Sequence, residues 1–144
     1  MAAAVVFAAA FGAYAAGHQV ADYWVQTPGQ SARKALPGWA GRRACLAHVA
    51  TYTVTLAALL ALAASVLAVP VSPGWAAAGL AVNAVSHYFA DRRDPLRRLA
   101  ALIPGKAGFW DSGTGLASGA AVLDQSWHWL WIFAAALITA GGAS

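Results

Sequence analysis

Four histidines and three aspartates hold most of the chemistry available to this sequence, and one spacing recurs among them. His18 stands four residues before Asp22, His48 four before Tyr52, His87 four before Asp91, and Asp124 four before His128. Residues at i and i+4 share a helix face, so each pair marks a polar stripe on one helix. The stripes extend as Tyr14, His18, Asp22 and Gln26, as His48, Thr51, Tyr52 and Thr55, and as Asn83, His87 and Asp91. Imidazole nitrogen combined with carboxylate oxygen suits zinc, manganese or iron(II). Three such ligands with an open position make the catalytic zinc pattern. The candidate metal ligands are therefore His18, Asp22, His48, His87, Asp91, Asp124 and His128, more than one ion needs. Either two ions share them, or some orient the others from behind, as a carboxylate does for a ligating histidine. The sequence holds neither an HExxH string nor a cysteine-rich zinc pattern, so the signal is convergence alone. Cys45, the one cysteine, lies a turn before His48 and is read as a small buried hydrophobe in preference to a ligand.

The elements that must position these residues are membrane spans. Of 144 residues, 60% are hydrophobic and 10% charged; 39 are alanine, five aspartate and none glutamate. An ordinary soluble domain carries about 25% charged residues, so a soluble globular domain is excluded, as are a disordered tail and a disulfide scaffold. A span needs about 20 apolar residues, and four stretches qualify, at about 2–24, 44–69, 75–90 and 116–140. The first lacks the basic residues that precede the apolar run of a cleaved signal peptide. All nine basic residues fall in two loops: Arg33, Lys34, Arg42 and Arg43 in the first, and Arg92, Arg93, Arg97, Arg98 and Lys106 in the third. That asymmetry places both loops in the cytoplasm and both termini outside. The expectation is an all-α membrane protein, a single domain over residues 1–144, folded as a four-transmembrane-helix bundle in a bacterial inner (cell) membrane. The net charge of +4 then reports topology, and nucleic acid is not an expected partner.

The third loop has structure of its own. Asp94-Pro95 reads as an N-cap and first-turn pair. Leu96, Leu99, Leu102 and Ile103 recur at helical spacing, which predicts a short amphipathic helix on the inner leaflet, ended by Pro104-Gly105. Trp24, Trp39 and Trp110 fall near the same interface, where indoles are enriched. Trp127, Trp129 and Trp131, two residues apart, point in different directions on a helix and cannot form one stack. The abundant alanine allows close helix approach in lipid.

Depth sharpens the chemical argument. At 1.5 Å per residue, His48 and His87 lie about 7–8 Å inside the basic residues that mark the inner surface. An aspartate at the centre of a span costs about 2.5–3.5 kcal/mol and persists when paired, metal-bound or facing water. Interhelical hydrogen bonds that merely hold helices together average about 0.6 kcal/mol, and Ser, Thr or Asn supply them at lower cost.

The strings HQVADYWVQT (18–27), Lys34, CLAHVATYT (45–53), HYFADRR (87–93) and LDQSWH (123–128) together resemble a family of small bacterial and phage multi-span membrane proteins of unknown function, with motifs HxxxD, HVxxYT, HxxxDR and DQxxH. The resemblance spans nearly the whole chain. It implies signature positions at His18, Asp22, Gln26, Lys34, His48, Tyr52, His87, Asp91, Asp124, Gln125 and His128, and it implies no activity. In motif style the chain also resembles small membrane-bound proteins read as metal-dependent hydrolases.

The expected function is a metal-dependent membrane hydrolase, with zinc ahead of manganese and iron. Such an ion lowers the pKa of bound water toward about 7 and polarises a carbonyl or phosphoryl oxygen. His18, His48 and His87 would be the first-choice ligands, Asp91 or Asp124 would serve as ligand or general base, His128 would complete the set, and Tyr52 and Gln125 would donate hydrogen bonds to developing charge. Arg92 and Arg93 serve topology first and a lipid phosphate second. The alternative is a non-enzymatic membrane protein, a small transporter, pore, haem carrier or partner-binding subunit, whose polar cluster is structural. Expected partners are membrane lipids and a metal ion, with homo-oligomer formation left open.

Overall fold

Alanine- and leucine-rich runs without internal proline become long helices, and proline and glycine set where they stop. The computed structural model describes residues 1–143. Helix α1 (Ala2–Val20) continues into a single π-helical turn (Ala21–Val25). Then follow α2 (Pro28–Arg33), α3 (Gly38–Val66), α4 (Pro73–Asp91), α5 (Asp94–Ala101), α6 (Lys106–Trp110), a 3-10 turn (Gly115–Ala117) and α7 (Gly119–Ala140). Among the described residues there is no strand. Proline opens α2 and α4 in the first helical turn, where its missing N–H costs nothing. A capping box closes the start of α2: Thr27 Oγ1 accepts from Gln30 N–H at 3.2 Å and Gln30 Oε1 accepts from Thr27 N–H at 2.8 Å. Ser118 caps α7 by accepting from Ala121 N–H at 3.2 Å.

The four long helices pack in a ring, α1 against α3 and α7, and α4 against α3 and α7. At one end, Val6 near the start of α1, Val69 in the α3–α4 turn and Ala140 at the end of α7 share a small apolar cluster. At the other end Arg92 closes the structure. Its guanidinium donates to Lys34 O at 2.5 Å and to Leu36 O at 2.7 Å, so the two basic loops lie side by side. Small residues let the helices approach. A Cβ at Gly79 on α4 would meet Thr139 Oγ1 and the Ala135 carbonyl of α7, and one at Gly17 on α1 would meet Leu56 of α3. Gly79→Val should therefore force α4 from α7 and destabilise the protein by about 1–3 kcal/mol. A lowered Tm in detergent checks it, and an unchanged Tm would mean that this approach is not tight.

Two helices, α1 with its π turn (24 residues) and α3 (29 residues), are long and apolar enough to cross a membrane. By the same measure α4 and α7 fall short, because Asn83 and His87 in one, and Asp124, Gln125 and His128 in the other, lower their hydropathy. The long helices turn apolar side chains outward, among them Val54, Leu62, Val85, Leu130 and Leu137, while His18, His48, Asn83, His87 and His128 are buried.

Several local expectations shift. The second apolar segment forms a helix that begins at Gly38, not 44, and ends at Val66. The amphipathic helix exists, but its N-cap is Arg93, with Asp94 inside the first turn and making no side-chain cap bond. Leu96 is buried, whereas Leu102 and Ile103 fall beyond the helix and are exposed. Trp127 and Trp131 share a face at 5.6 Å between centroids, with Trp127 stacked on Phe89, while Trp129 lies 6.2 Å from Phe11 on another face.

Candidate metal centre

Three segments deliver four atoms to one point. The π turn that follows α1 carries Asp22, α3 carries His48, and α4 carries His87 and Asp91. A π turn widens the helix by one residue per turn and recurs at functional sites; here it shapes the backbone from which Asp22 reaches α3 and α4. His48 Nε2 lies 3.0 Å from His87 Nε2, 3.3 Å from Asp22 Oδ1 and 3.3 Å from Asp91 Oδ2. His87 Nε2 lies 3.6 Å from Asp22 Oδ1 and 3.3 Å from Asp91 Oδ2. These are five of the six separations among the four atoms, and His48, His87 and Asp91 already form a group compact enough to hold an ion. The edge of a tetrahedron is about 1.63 times its centre-to-corner length, so zinc–ligand bonds of about 2.0–2.1 Å give edges of about 3.3–3.4 Å. The observed separations match that size.

Hydrogen bonding alone satisfies this group poorly. Two neutral imidazoles bring at most two N–H groups to the centre, and Asp22 Oδ1 and Asp91 Oδ2 are buried without a hydrogen-bond partner. A cation among the four atoms would resolve both defects, since buried polar groups without partners are costly. On the second oxygens, Asp91 Oδ1 lies 2.7 Å from Lys34 Nζ, whereas Asp22 Oδ2 lies 3.4 Å from His18 Nδ1 without a hydrogen bond between them. Each aspartate offers one free oxygen to the centre. The Nδ1 atoms of His48 and His87 face no partner, so packing orients these rings; the Tyr52 ring lies 3.8 Å from that of His87 between centroids.

The other predicted residues surround this core. His18 stacks on His128 at 5.0 Å and its Nε2 lies 3.3 Å from Gln125 Oε1. His128 Nδ1 lies 2.8 Å from the Asp124 carbonyl oxygen and 3.5 Å from Asp124 Oδ2, leaving Nε2 buried without a partner. His18 with Asp22 and His87, and His128 with Asp91 and Asp124, also form groups compact enough to hold an ion. The Tyr52 hydroxyl accepts from Asn83 Nδ2 at 3.5 Å.

Four residues drawn into the stripes lie elsewhere. The Tyr14 hydroxyl pairs with Thr139 Oγ1 at 2.9 Å near the opposite end, and Gln26 follows the π turn with its Nε2 buried and unpartnered. Thr51 and Thr55 donate to carbonyls of their own helix, a habit of hydroxyls in helices. Cys45 is buried, with Sγ 4.0 Å from Tyr88 O, and belongs to none of the His/Asp groups. Lys34 is the participant that residue spacing did not single out, because a loop lysine among nine basic residues reads as topology.

The protein is thus an all-helical chain with two candidate membrane helices and His/Asp groups able to hold a metal ion. No protein family, curated protein or solved structure matches it.

Proposed function

We propose that this is an integral membrane protein that binds a divalent metal ion at His48, His87, Asp22 and Asp91 and uses it as a hydrolase. The observation that carries the metal is the set of five ligand separations between 3.0 and 3.6 Å. An ion that leaves one of these positions, or a fifth one, to water would supply a nucleophile and polarise the scissile group. The chain's own residues supply the rest. Asp124, part-buried and beside Asp91, is the general base outside the shell. Lys34 fixes Asp91 from behind, His18 lies beside Asp22, and Gln125 faces the pocket at the mouth. A cavity of about 500 Å³, lined by Lys34, Asp91, Asp124 and Gln125, connects the cluster to the outside, within the size range of ligand sites.

Purified in detergent without chelators, the protein should carry close to one equivalent of zinc, manganese or iron. Less than about a tenth of an equivalent would overturn the metal reading. Asp124→Asn should keep that metal and lower ester hydrolysis by about 10²-fold or more.

A second reading rests on the same geometry. If all four residues ligate, they would fill a tetrahedral shell, as in structural zinc sites, and would join three helical segments. In that case the ion clamps the bundle, the protein is not an enzyme, and Asp124→Asn changes nothing but local packing.

The membrane reading is four spans in a bacterial inner membrane with both basic loops cytoplasmic. It is supported by the outward apolar faces and by the pairing of the basic loops at one end. Lipid would cover the outer faces, including an apolar groove of about 570 Å³ beside Phe89, Trp127 and Trp131. A tag inserted near Gly38 should report cytoplasm and a reporter joined after Ser144 should report export; a cytoplasmic C-terminal reporter would reject four spans. The family resemblance is part of the same proposal, since most of its signature positions lie in or around this cluster.

A further inference from the structure

The cavity over the metal centre has one feature that binding a metal does not need. Arg93 stands between α4 and α5 with φ 57° and ψ −54°. Asp94 N–H donates to Arg92 O at 2.7 Å, which closes a three-residue γ-turn around Arg93. That turn is rare and strained for a side chain larger than glycine, and held strain of this kind clusters at functional sites. The neighbouring Arg92 has a structural use in the carbonyls of Lys34 and Leu36. Arg93 has none: among the described residues its guanidinium makes no ion pair or hydrogen bond. It lines the cavity that reaches Asp91, Asp124 and Gln125, with Trp110 and Lys34.

We infer that Arg93 is a substrate-binding residue and that the pocket takes a phosphate ester. This rests on the metal-site reading above. With a divalent ion balancing Asp22 and Asp91, Lys34 and Arg93 outnumber Asp124 by one positive charge, which favours an anion. Lys34 is committed to Asp91 at 2.7 Å, so Arg93 is the free cation. A phosphate can place one oxygen toward the centre and present two others to the fork of an arginine, which a carboxylate with two oxygens cannot do at once. The mouth lies at the end of the bundle where the basic loops meet, so the phosphate comes from a lipid headgroup or from a soluble ester.

The test measures three quantities on one preparation of full-length protein in detergent: bound metal, Tm, and binding of inorganic phosphate or of phosphatidic acid in mixed micelles. Wild type should bind phosphate, and Arg93→Gly should weaken binding by about tenfold or more, the loss of one charge-assisted contact. Its metal content should be unchanged and its Tm unchanged or higher, because glycine accepts a positive φ without strain. Arg93→Lys should fall between the two. Binding of both probes points to a soluble ester, and binding of phosphatidic acid alone to a lipid; either supports the inference. Metal-bound protein whose phosphate affinity ignores Arg93, or that binds neither probe, overturns it and leaves the metal site standing. Loss of metal with a lowered Tm in Arg93→Gly makes the residue structural and overturns it as well. Wild-type protein without metal overturns the metal reading, and this inference with it.

Discussion

His87→Ala is expected to leave the protein with less than about a tenth of an equivalent of metal while it still inserts and folds as helices. His87 Nε2 takes part in three of the five separations that define the centre, to His48, Asp22 and Asp91. Removing it takes away one of two nitrogen ligands and leaves two carboxylates facing each other with fewer donors between them. Like charges so placed disfavour ionisation of both. The lost ring also leaves a cavity, because His87 is fully buried against Tyr52 at 3.8 Å and His128 at 4.4 Å. Truncations of this size in a packed core cost about 2–5 kcal/mol. Insertion survives because alanine makes α4 more apolar. A chelator separates this outcome from a merely weakened bundle. An ion present at a thousand times its Kd stabilises the folded state by about 4.1 kcal/mol, so chelation should lower the Tm of wild type and leave that of His87→Ala unmoved. If the cluster only held helices together, the variant would lose a hydrogen bond of about 0.6 kcal/mol, and chelation would shift neither protein.

The sequence made the helices and the polar stripes legible because both depend on local periodicity. His18–Asp22, His48 and His87–Asp91 were each visible as one face of one helix. Which four of seven residues meet at a point was not visible. That choice depends on how α1, α3 and α4 rotate about their axes and on the π turn at Ala21–Val25, which carries Asp22 and ends the helix. A regular helix through residue 26 would carry Gln26 on the face of His18 and Asp22; instead Gln26 leaves the helix in extended backbone, while Tyr14, within regular α1, lies farther along the axis and pairs with Thr139. Thr51 and Thr55 misled for a simpler reason: a hydroxyl in a helix has its own carbonyl four residues back as a partner. Charge counting, which treats every basic residue in a loop as one vote for topology, hid Arg92 and left Lys34 marked only by the family resemblance. Their separate roles, one on Asp91 and one on the carbonyls of loop one, arise from tertiary contacts that leave no periodic trace.

Asp91→Asn and Asp22→Asn should differ in a way that identifies what Lys34 does. Both replace a charged ligand oxygen by an amide, and both should weaken metal binding by at least about 10–100-fold, the loss typical of disturbing even a supporting partner. Their effects on the metal-free protein should diverge. Asp22 lies beside His18, which need not be charged, and its side chain is 11% exposed. Asp91 is paired with the Lys34 ammonium, and their side chains are 4% and 18% exposed. Removing one partner of a buried pair costs about 3–5 kcal/mol, mostly because a charge is left without compensation. The accessible fraction of Lys34 pulls the expected cost to the lower end of that range. Asp91→Asn should therefore lower the Tm of chelated protein well below that of Asp22→Asn. The double variant Lys34→Met with Asp91→Asn decides the cause. It removes the stranded ammonium, so it should recover most of the lost stability, yet it restores no metal because the ligand oxygen is still absent. Equal Tm values for the two single variants would show that Lys34 contributes little to the fold. Recovery of metal in the double variant would remove Asp91 from the ligand set and leave the remaining His/Asp groups to account for binding.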